Sequence, residues 1–246
     1  MPVGLGGEQG WWCPTLDDSP DDISGNGNNG TYQGGMGTVA DTSNGGSRAY
    51  DLDGTNDSIS TTFGPGSWIT TGVFSLSAWV KYDVLQDSTI AGGEITGNAK
   101  GVCLVFDTYD ATRGNSSVYG KGGQPYAARA FSGDRDTVSV SQWYNVVATG
   151  DGTDSRIYVD GVLMNTTAIL GYSVSPVWTN PFAIGFNGSF RLNGRIDDVR
   201  GYDRTLTQAE ITHLATARGV LGGPGSDGYN AFTSAIYNPR NYNNTR

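Results

Sequence analysis

The 246-residue sequence is nearly without glutamate and histidine: Glu8, Glu94 and Glu210 are the only glutamates against 21 aspartates, and His213 is the single imidazole. Two carboxylates flanking one bond are the requirement of glycoside hydrolysis, and no E-x-D-x-E cluster is present. Asp51 and Asp53 can share a strand face, but nothing gives that pair a catalytic role. With one histidine and no G-x-S-x-G elbow, a Ser-His-Asp triad is equally unsupported, and His213 reads as an ordinary surface or helix-end residue. The chain is expected not to be an enzyme. Cys13 and Cys103 are the only cysteines and lack metal-type spacing, which excludes thiolate zinc chemistry. They are either two buried free thiols or one disulfide, and the sequence leaves both open.

No apolar stretch approaches the ~20 residues of a membrane-spanning helix, so membrane insertion is not expected. The opening MPVGLGGEQGWWCPT has neither the basic segment nor the apolar run of a secretory signal, so export by the general route is not expected. A net charge of -9 repels phosphate backbones and sets nucleic acid aside as a partner.

What is abundant is glycine, 38 residues, beside 37% hydrophobic residues. That composition implies short strands between many turns, an all-β class. β-rich sandwiches commonly run to roughly 200–250 residues as one domain, so the expectation is a single domain over 1–219 and a Gly/Pro hinge with an arm over 220–246. Aspartate favours turns and hard-cation loops where glutamate favours helices, which puts the acidity in loops.

Trp11, Trp12 and Leu16 make a first short strand, followed by the irregular DDSPDDISGNGNNG. Asp22, Ser24, Asn26 and Asn28 stand there at alternate positions with glycines between. The loop either wraps a Ca²⁺ ion, which takes six to eight oxygens, or is a solvated run of Asx turns. AYDLDGTNDSIST reads as two strand pieces around Asp53-Gly54. FSLSAWVKY alternates strictly, the mark of a half-buried antiparallel strand with Trp79 packed on its polar face. A strand at GVCLVFDTY leads into a long irregular region with Tyr119, Tyr126 and Phe131, whose Arg113, Lys121, Arg129 and Arg135 either suit an acidic glycan or partner or form a mixed-charge solvated loop, the reading favoured here. Asp151-Gly152 and Asp160-Gly161 are two-residue hairpin signals, so three strands form a meander. Phe182, Ile184 and Phe186 alternate in the next strand.

The closing stretch, RLNGRIDDVRGYDRTLTQAEI, is the densest in signals. Ile196 and Val199 are apolar anchors three apart, so a strand through them needs a bulge, and Asp197 and Asp198 sit on it. Thr207 and Glu210 form a capping box, and Leu206 and Ile211 a hydrophobic staple. Leu214 continues the helix face, and Gly219 suits a left-handed stop.

Taken together, FSLSAWVK, QWYNVVATGDGTDSRIYVDGVL and FAIGFNGSFRLNGRIDDVRGYDRTLTQAEI resemble the laminin G-like, concanavalin A-like lectin/glucanase superfamily in its bacterial and viral jelly-roll branch. DISGNGNNGT and AYDLDGTNDSI fall where that family carries its opening loop and second strand, so the resemblance covers residues 10 to 216. It implies an antiparallel β-sandwich of jelly-roll type with one short C-terminal helix and a tail. It also implies a structural Ca²⁺ near the sandwich edge, held by oxygens of Asp22, Asn26 and Asn28 together with Asp197 and Asp198. Fold does not choose function within such a superfamily. The reading favoured here is a non-catalytic display module on a virion or other particle surface, able to touch cell-surface glycans. A secreted or cell-surface carbohydrate-binding lectin-like module is the alternative, and a glucanase the remote one. Trp68, Tyr109, Tyr126 and Trp178 are the loop-borne aromatics that suit a glycan. Phe232, Ile236, Tyr237 and Tyr242 give the C-terminal arm the anchors to dock on proteins of a parent particle.

Overall fold

The computed structural model describes residues 4–63, 72–94, 101–110, 113–120, 129–131, 138–168, 182–187 and 190–222, with the backbone alone for 94, 101, 107–110, 113–120, 129–131 and 187. The strands in chain order are β1 (Glu8–Trp12), β2 (Gly30–Gln33), β3 (Gly37–Ala40), β4 (Arg48–Asp53), β5 (Ser58–Thr61), β6 (Val73–Tyr82), β7 (Ser88–Glu94), β8 (Gly101–Asp110), β9 (Arg113–Gly120) and β10 (Arg129–Phe131). They continue as β11 (Trp143–Asp151), β12 (Asp154–Val159), β13 (Val162–Ala168), β14 (Ala183–Ile184), β15 (Phe186–Asn187), β16 (Phe190–Arg191) and β17 (Asn193–Tyr202), and helix α1 (Gln208–Leu214) follows.

Two antiparallel sheets carry the fold. The first runs β13-β12-β11-β6-β17-β4-β3 with β1 also on β17, and the second runs β10-β9-β8-β7-β14-β5-β2. Alternation along β6 sends Phe74, Leu76, Ala78, Val80 and Tyr82 inward, where they meet Val102, Leu104 and Phe106 of β8 across the sandwich. Trp12 closes one side of this core, stacked on Phe182 with ring centroids 5.3 Å apart. The all-β jelly-roll sandwich expected from the sequence is the observed architecture.

A third layer covers the outer face of the first sheet. Leu206, Ile211 and Leu214 pack on Val147, Tyr158 and Tyr202, each buried aliphatic contributing about 1.5–3 kcal/mol. The Trp79 indole donates to Leu214 O at 3.1 Å, and Ser75 Oγ donates to Arg204 O while accepting from Leu206 N. β6 is therefore buried on both faces rather than half-buried. Period-two patterning tells which residues share a face, but small polar residues satisfied by a covering segment look the same as solvated ones. The Thr207–Glu210 capping box is present, and Glu210 also binds Arg204 at 2.7 Å.

Other expectations need correction. The helix ends at Leu214 with Ala215 as its cap, so Gly219 (φ 68) closes a later turn instead of stopping the helix. His213 is buried with Nε2 3.2 Å from Leu221 O, because the chain folds back over the helix end. Leu16 lies beyond β1 in a turn that its N–H closes on Cys13 O. The Asp53-Gly54 turn closes no hairpin: β4 belongs to the first sheet and β5 to the second, so the chain crosses the sandwich there. The region read as a long loop supplies β9, paired on β8, and β10, paired on β9. Its Gly, Ser and Asn content hides strands whose pairing comes from the backbone. The strand expected through Phe182, Ile184 and Phe186 is broken at Gly185, whose φ of 82 and close approach to Leu52 leave no room for a Cβ. The two DG turns close the β11-β12-β13 meander as expected. Cys13 and Cys103 are both buried thiols with no disulfide between them.

Candidate functional site

The bulge in β17 is where that strand changes neighbours. Residues 193–196 pair with β4 and residues 199–202 with β1, while β6 runs along the other side and its register shifts between Asp197 and Arg200. Asp198 takes a φ of 51, a left-handed conformation that Asp and Asn tolerate better than most residues. At such a junction the ladder leaves polar groups to be satisfied by side chains. Asp197 accepts from Thr15 N and Oγ1, from Asp198 N and, at 3.0 Å, from Arg218 Nη1. Asp198 accepts the Trp11 indole N–H at 2.7 Å and Gly219 N at 3.1 Å, and Arg200 grips it with two bonds of 2.8 and 2.9 Å. Arg200 itself lies over the Trp11 ring, 4.1 Å from its centroid.

The Asp22 loop reaches the same place from the other side. Asp22 accepts from Trp11 N and Ser24 N through Oδ1 and from Asn28 N through Oδ2. The Asn26 and Asn28 amides donate to Glu8 O and Gln9 O, and Trp12 donates its indole N–H to Asn28 O. The loop thus caps the free edge of β1, and Trp11 joins it to Asp198. Loop and late aspartates do converge, as the sequence led one to expect, but on protein donors. The cationic partners are Arg200 and Arg218, and among the described residues no cluster of His, Cys, Asp or Glu is arranged for a metal ion. Carboxylates saturated by N–H groups and guanidinium do not fit the free oxygen shell of a hard cation.

Burial and then the neighbouring Asp198 carboxylate push the Asp197 carboxyl up to about 7, against Arg218, Thr15 and Cys13, which pull it down. Burial and the same two aspartates push the Cys13 thiol well up, leaving it inert. Sequence reading missed a second acid on this face, Asp41. It holds Lys81 at 3.1 Å, Arg195 at 2.9 Å and Arg218 at 3.3 Å, with the Trp143 indole donating to it as well. Burial raises the Asp41 carboxyl, but Ser43, Arg195 and Lys81 outweigh it and hold it well below the usual range. A depressed carboxyl gives stability that is present above the unfolded value, about 3.9, and lost as pH falls toward the folded one. The midpoint of urea unfolding should therefore drop as pH falls below about 4, and Asp41→Asn should flatten that slope. An unchanged slope in the variant would show that other groups carry it.

The open surface lies elsewhere. Val84, Leu85, Val140, Val162, Leu163 and Phe190, the exposed large hydrophobics among the described residues, all sit at the end of the sandwich where β6 and β12 finish and β11, β13 and β17 begin. The opposite end is charged, with Asp151, Asp154 and Arg156 paired there and Asp203 and Arg204 beside them. Three loops are locked together at the apolar end. Asn193 O accepts from Asp83 N and Val84 N, the Asn193 amide donates to Asp53 O, and Gln86 donates to Arg191 O at 3.0 Å. On the β15–β16 hairpin the Arg191 guanidinium lies 3.9 Å from the Phe186 ring centroid. Phe190 projects from that hairpin, 48% exposed. The result is an aromatic and aliphatic ledge beside amide and carboxylate groups. Sequence reading passed over Phe190; the Asn187-Gly188 turn signal immediately before it would have marked an aromatic at a hairpin tip. Of the aromatics it did single out, Trp68, Tyr126 and Trp178 lie outside the described residues, as do Phe232, Ile236, Tyr237 and Tyr242 of the arm. Tyr109 falls in β8 where the backbone alone is described.

Residues 53–212 match the family pattern described as the concanavalin A-like lectin/glucanases superfamily. Among solved structures, domain 4 of AbnA, a GH43 extracellular arabinanase from Geobacillus stearothermophilus in complex with arabinotriose, superposes with a TM-score of 0.68 at 20% identity over 87% of this chain and 100% of that one. The receptor binding domain of botulinum neurotoxin C/D mosaic serotype gives 0.65 at 16% identity over 85% of this chain and 51% of that one. The binding domain of botulinum neurotoxin DC in complex with SialylT gives 0.63 at 13% over 86% and 51%. This chain therefore spans about half the length of those toxin domains. The likenesses establish the fold. No curated protein matches the sequence.

Proposed function

The chain belongs to the concanavalin A-like lectin/glucanases superfamily, and within it we propose that it acts as a non-catalytic carbohydrate-binding module whose contact face is the ledge around Phe190. The observation that carries this reading is the ledge itself: an exposed aromatic ring in β16, next to Arg191, whose carbonyl the Gln86 amide holds, with Asn193 bonded to Asp53 at the same end of the sandwich. Sugars present apolar C–H faces and rings of hydroxyls, so a stacking surface with adjacent amide and carboxylate groups is the chemistry that takes them. Similar folds carrying arabinotriose and SialylT support it. Four of the described acids are committed elsewhere: Glu8 accepts from Leu5 and Gly6 N–H, Glu210 serves the helix cap, and Asp197 and Asp198 are sealed under arginines, which favours the non-catalytic reading.

Calorimetry against arabinotriose and a glycan array test this. Phe190→Ala should weaken the strongest interaction about tenfold, ~1.4 kcal/mol, with no change in Tm. Silence across array and calorimeter would end the carbohydrate reading. Binding that survives Phe190→Ala but fails in Trp68→Ala, Tyr126→Ala or Trp178→Ala would move the face to those residues.

A second reading, display on a virion or other particle, rests on the sequence of residues 220–246, a Gly/Pro hinge with spaced aromatics too few for a core. It is compatible with glycan contact. Deleting residues 222–246 should abolish attachment to a parent particle, and attachment with unaltered affinity would overturn it.

A further inference from the structure

We propose that Arg218 and Arg200 stand where a bound cation would, so that the junction of β1, β4 and β17 is held by guanidinium groups tethered to the chain and needs no calcium. The family resemblance implies calcium between the Asp22 loop and Asp197-Asp198, and the groups that meet there disagree with it. Asp41, Asp197 and Asp198 are three buried carboxylates on this face. Four cations of the chain answer them: Arg200 on Asp198, Arg218 on Asp197 and Asp41, and Lys81 and Arg195 on Asp41. Asp22 spends both its oxygens on the N–H groups of Trp11, Ser24 and Asn28. A divalent ion arriving here would give up its water for carboxylates already matched by positive charge, and the cost of dehydrating an ion is recovered only against unmatched charge.

The surroundings of Arg218 show how close the replacement is. Its guanidinium donates to Asp197 Oδ2 and Arg48 O at 3.0 Å each, to Ser43 O at 2.8 and 3.0 Å, to Asp41 Oδ1 at 3.3 Å, and to Asp41 O. Two carboxylate oxygens and three backbone carbonyls thus converge on one buried positive group. That is the donor chemistry of a hard cation such as Ca²⁺, which takes six to eight oxygens of this kind. Thr15 Oγ1 ties the rim together, 3.1 Å from Arg48 O and 2.5 Å from Asp197 Oδ2. The difference from an ion is the tether. Arg218 N also donates to Asn44 O, and Arg200 binds Val220 O, so the two arginines fasten the segment that follows α1 to the sheet while they neutralise its acids. A chelator has nothing to extract from such a site. Emptied of its guanidinium, the same cage should accept a small cation, with water completing the shell.

The test is thermal unfolding and amide hydrogen exchange of the full chain at pH 8, in calcium and in EDTA, for wild type, Arg218→Ala and Arg218→Lys. Wild-type exchange across residues 8–28 and 193–202 should be the same in both media. Arg218→Ala should gain about 3–5 °C more than wild type from ~10 mM calcium, the shift expected of a new site with a Kd on the order of 1 mM. Arg218→Lys, which keeps a tethered charge in the cage, should be indifferent to calcium and should melt above Arg218→Ala in EDTA. Faster wild-type exchange of residues 8–28 or 193–202 after chelation overturns the proposal. So does an Arg218→Ala whose Tm, or whose failure to fold, is the same in calcium as in EDTA.

Discussion

Arg218→Ala should lower the free energy of unfolding by about 3–5 kcal/mol at pH 8, the usual cost of stripping one partner from a buried ion pair. For a chain of this size that is a fall in Tm of the order of 10 °C. Arg218 is buried and spends its guanidinium on Asp197 at 3.0 Å, on Asp41 at 3.3 Å, and on the carbonyls of Ser43 and Arg48. Its removal strips a donor from two carboxylates and from the carbonyls of Asp41, Ser43 and Arg48, and among the described residues no other ion pair reaches Asp197. The loss should shrink on going to pH 5. Burial and Asp198 already push the Asp197 carboxyl up to about 7, and without Arg218 it rises further. A raised carboxyl gives stability that is present below the unfolded value, about 3.9, and is lost as pH rises through the folded one. The variant should therefore be least stable on the alkaline side, and Arg218→Ala with Asp197→Asn should regain part of the loss there. Urea unfolding at the two pH values measures it. A loss independent of pH would mean that the packing of Arg218 on Trp143, 4.2 Å from the ring centroid, matters more than its charge.

Arg200→Met should cost a similar amount, about 3–5 kcal/mol, and concentrate its effect on the N-terminus. Arg200 is fully buried, makes the two-bond grip on Asp198, donates to Val220 O at 2.6 Å and lies over Trp11. Without it Asp198 keeps only the Trp11 indole and Gly219 N–H as partners from other residues. A charged Asp198 would then draw water in beneath β1, so amides of residues 8–12 should exchange faster than those of β6 and β11. Adding Asp198→Asn should restore about 1–2 kcal/mol, because it removes the uncompensated charge. Asn also tolerates the φ of 51 at that position. Hydrogen exchange of the β1 amides in the two variants decides the matter. Equal protection of β1 in wild type and Arg200→Met would show that Asp22 and the β17 ladder hold it unaided.

Much of this was written locally. The three-residue spacing of Ile196 and Val199 located the bulge, Thr207 and Glu210 the helix start, and the two Asp-Gly pairs the meander, because each signal and its consequence lie within a few residues. The candidate site was legible only in part. Asp22, Asn26, Asn28, Asp197 and Asp198 were read as one oxygen-rich ligand set, and Trp11 bonds both Asp22 and Asp198, but oxygen-rich spacing does not say whether the partner is an ion or an N–H. Asp41 carried no signal at all. Its partners Lys81, Arg195 and Arg218 are 40, 154 and 177 residues away, and no periodicity links positions so distant. Phe190 had only the Asn187-Gly188 turn signal nearby, and an aromatic beside such a turn looks the same in sequence whether it is covered or open.

The sequence by itself determined the all-β class, the β6 strand, the β11–β13 meander, the bulge and the cap, because those follow from side-chain alternation, turn conformation and short-range hydrogen bonding. Only the tertiary structure decided that the buried aspartates meet arginines, that β6 is covered on both faces, and that the exposed apolar residues gather at one end. Those outcomes depend on which strands become neighbours after the chain crosses between sheets, and sheet adjacency is fixed by burial of the whole core rather than by any local stretch of residues.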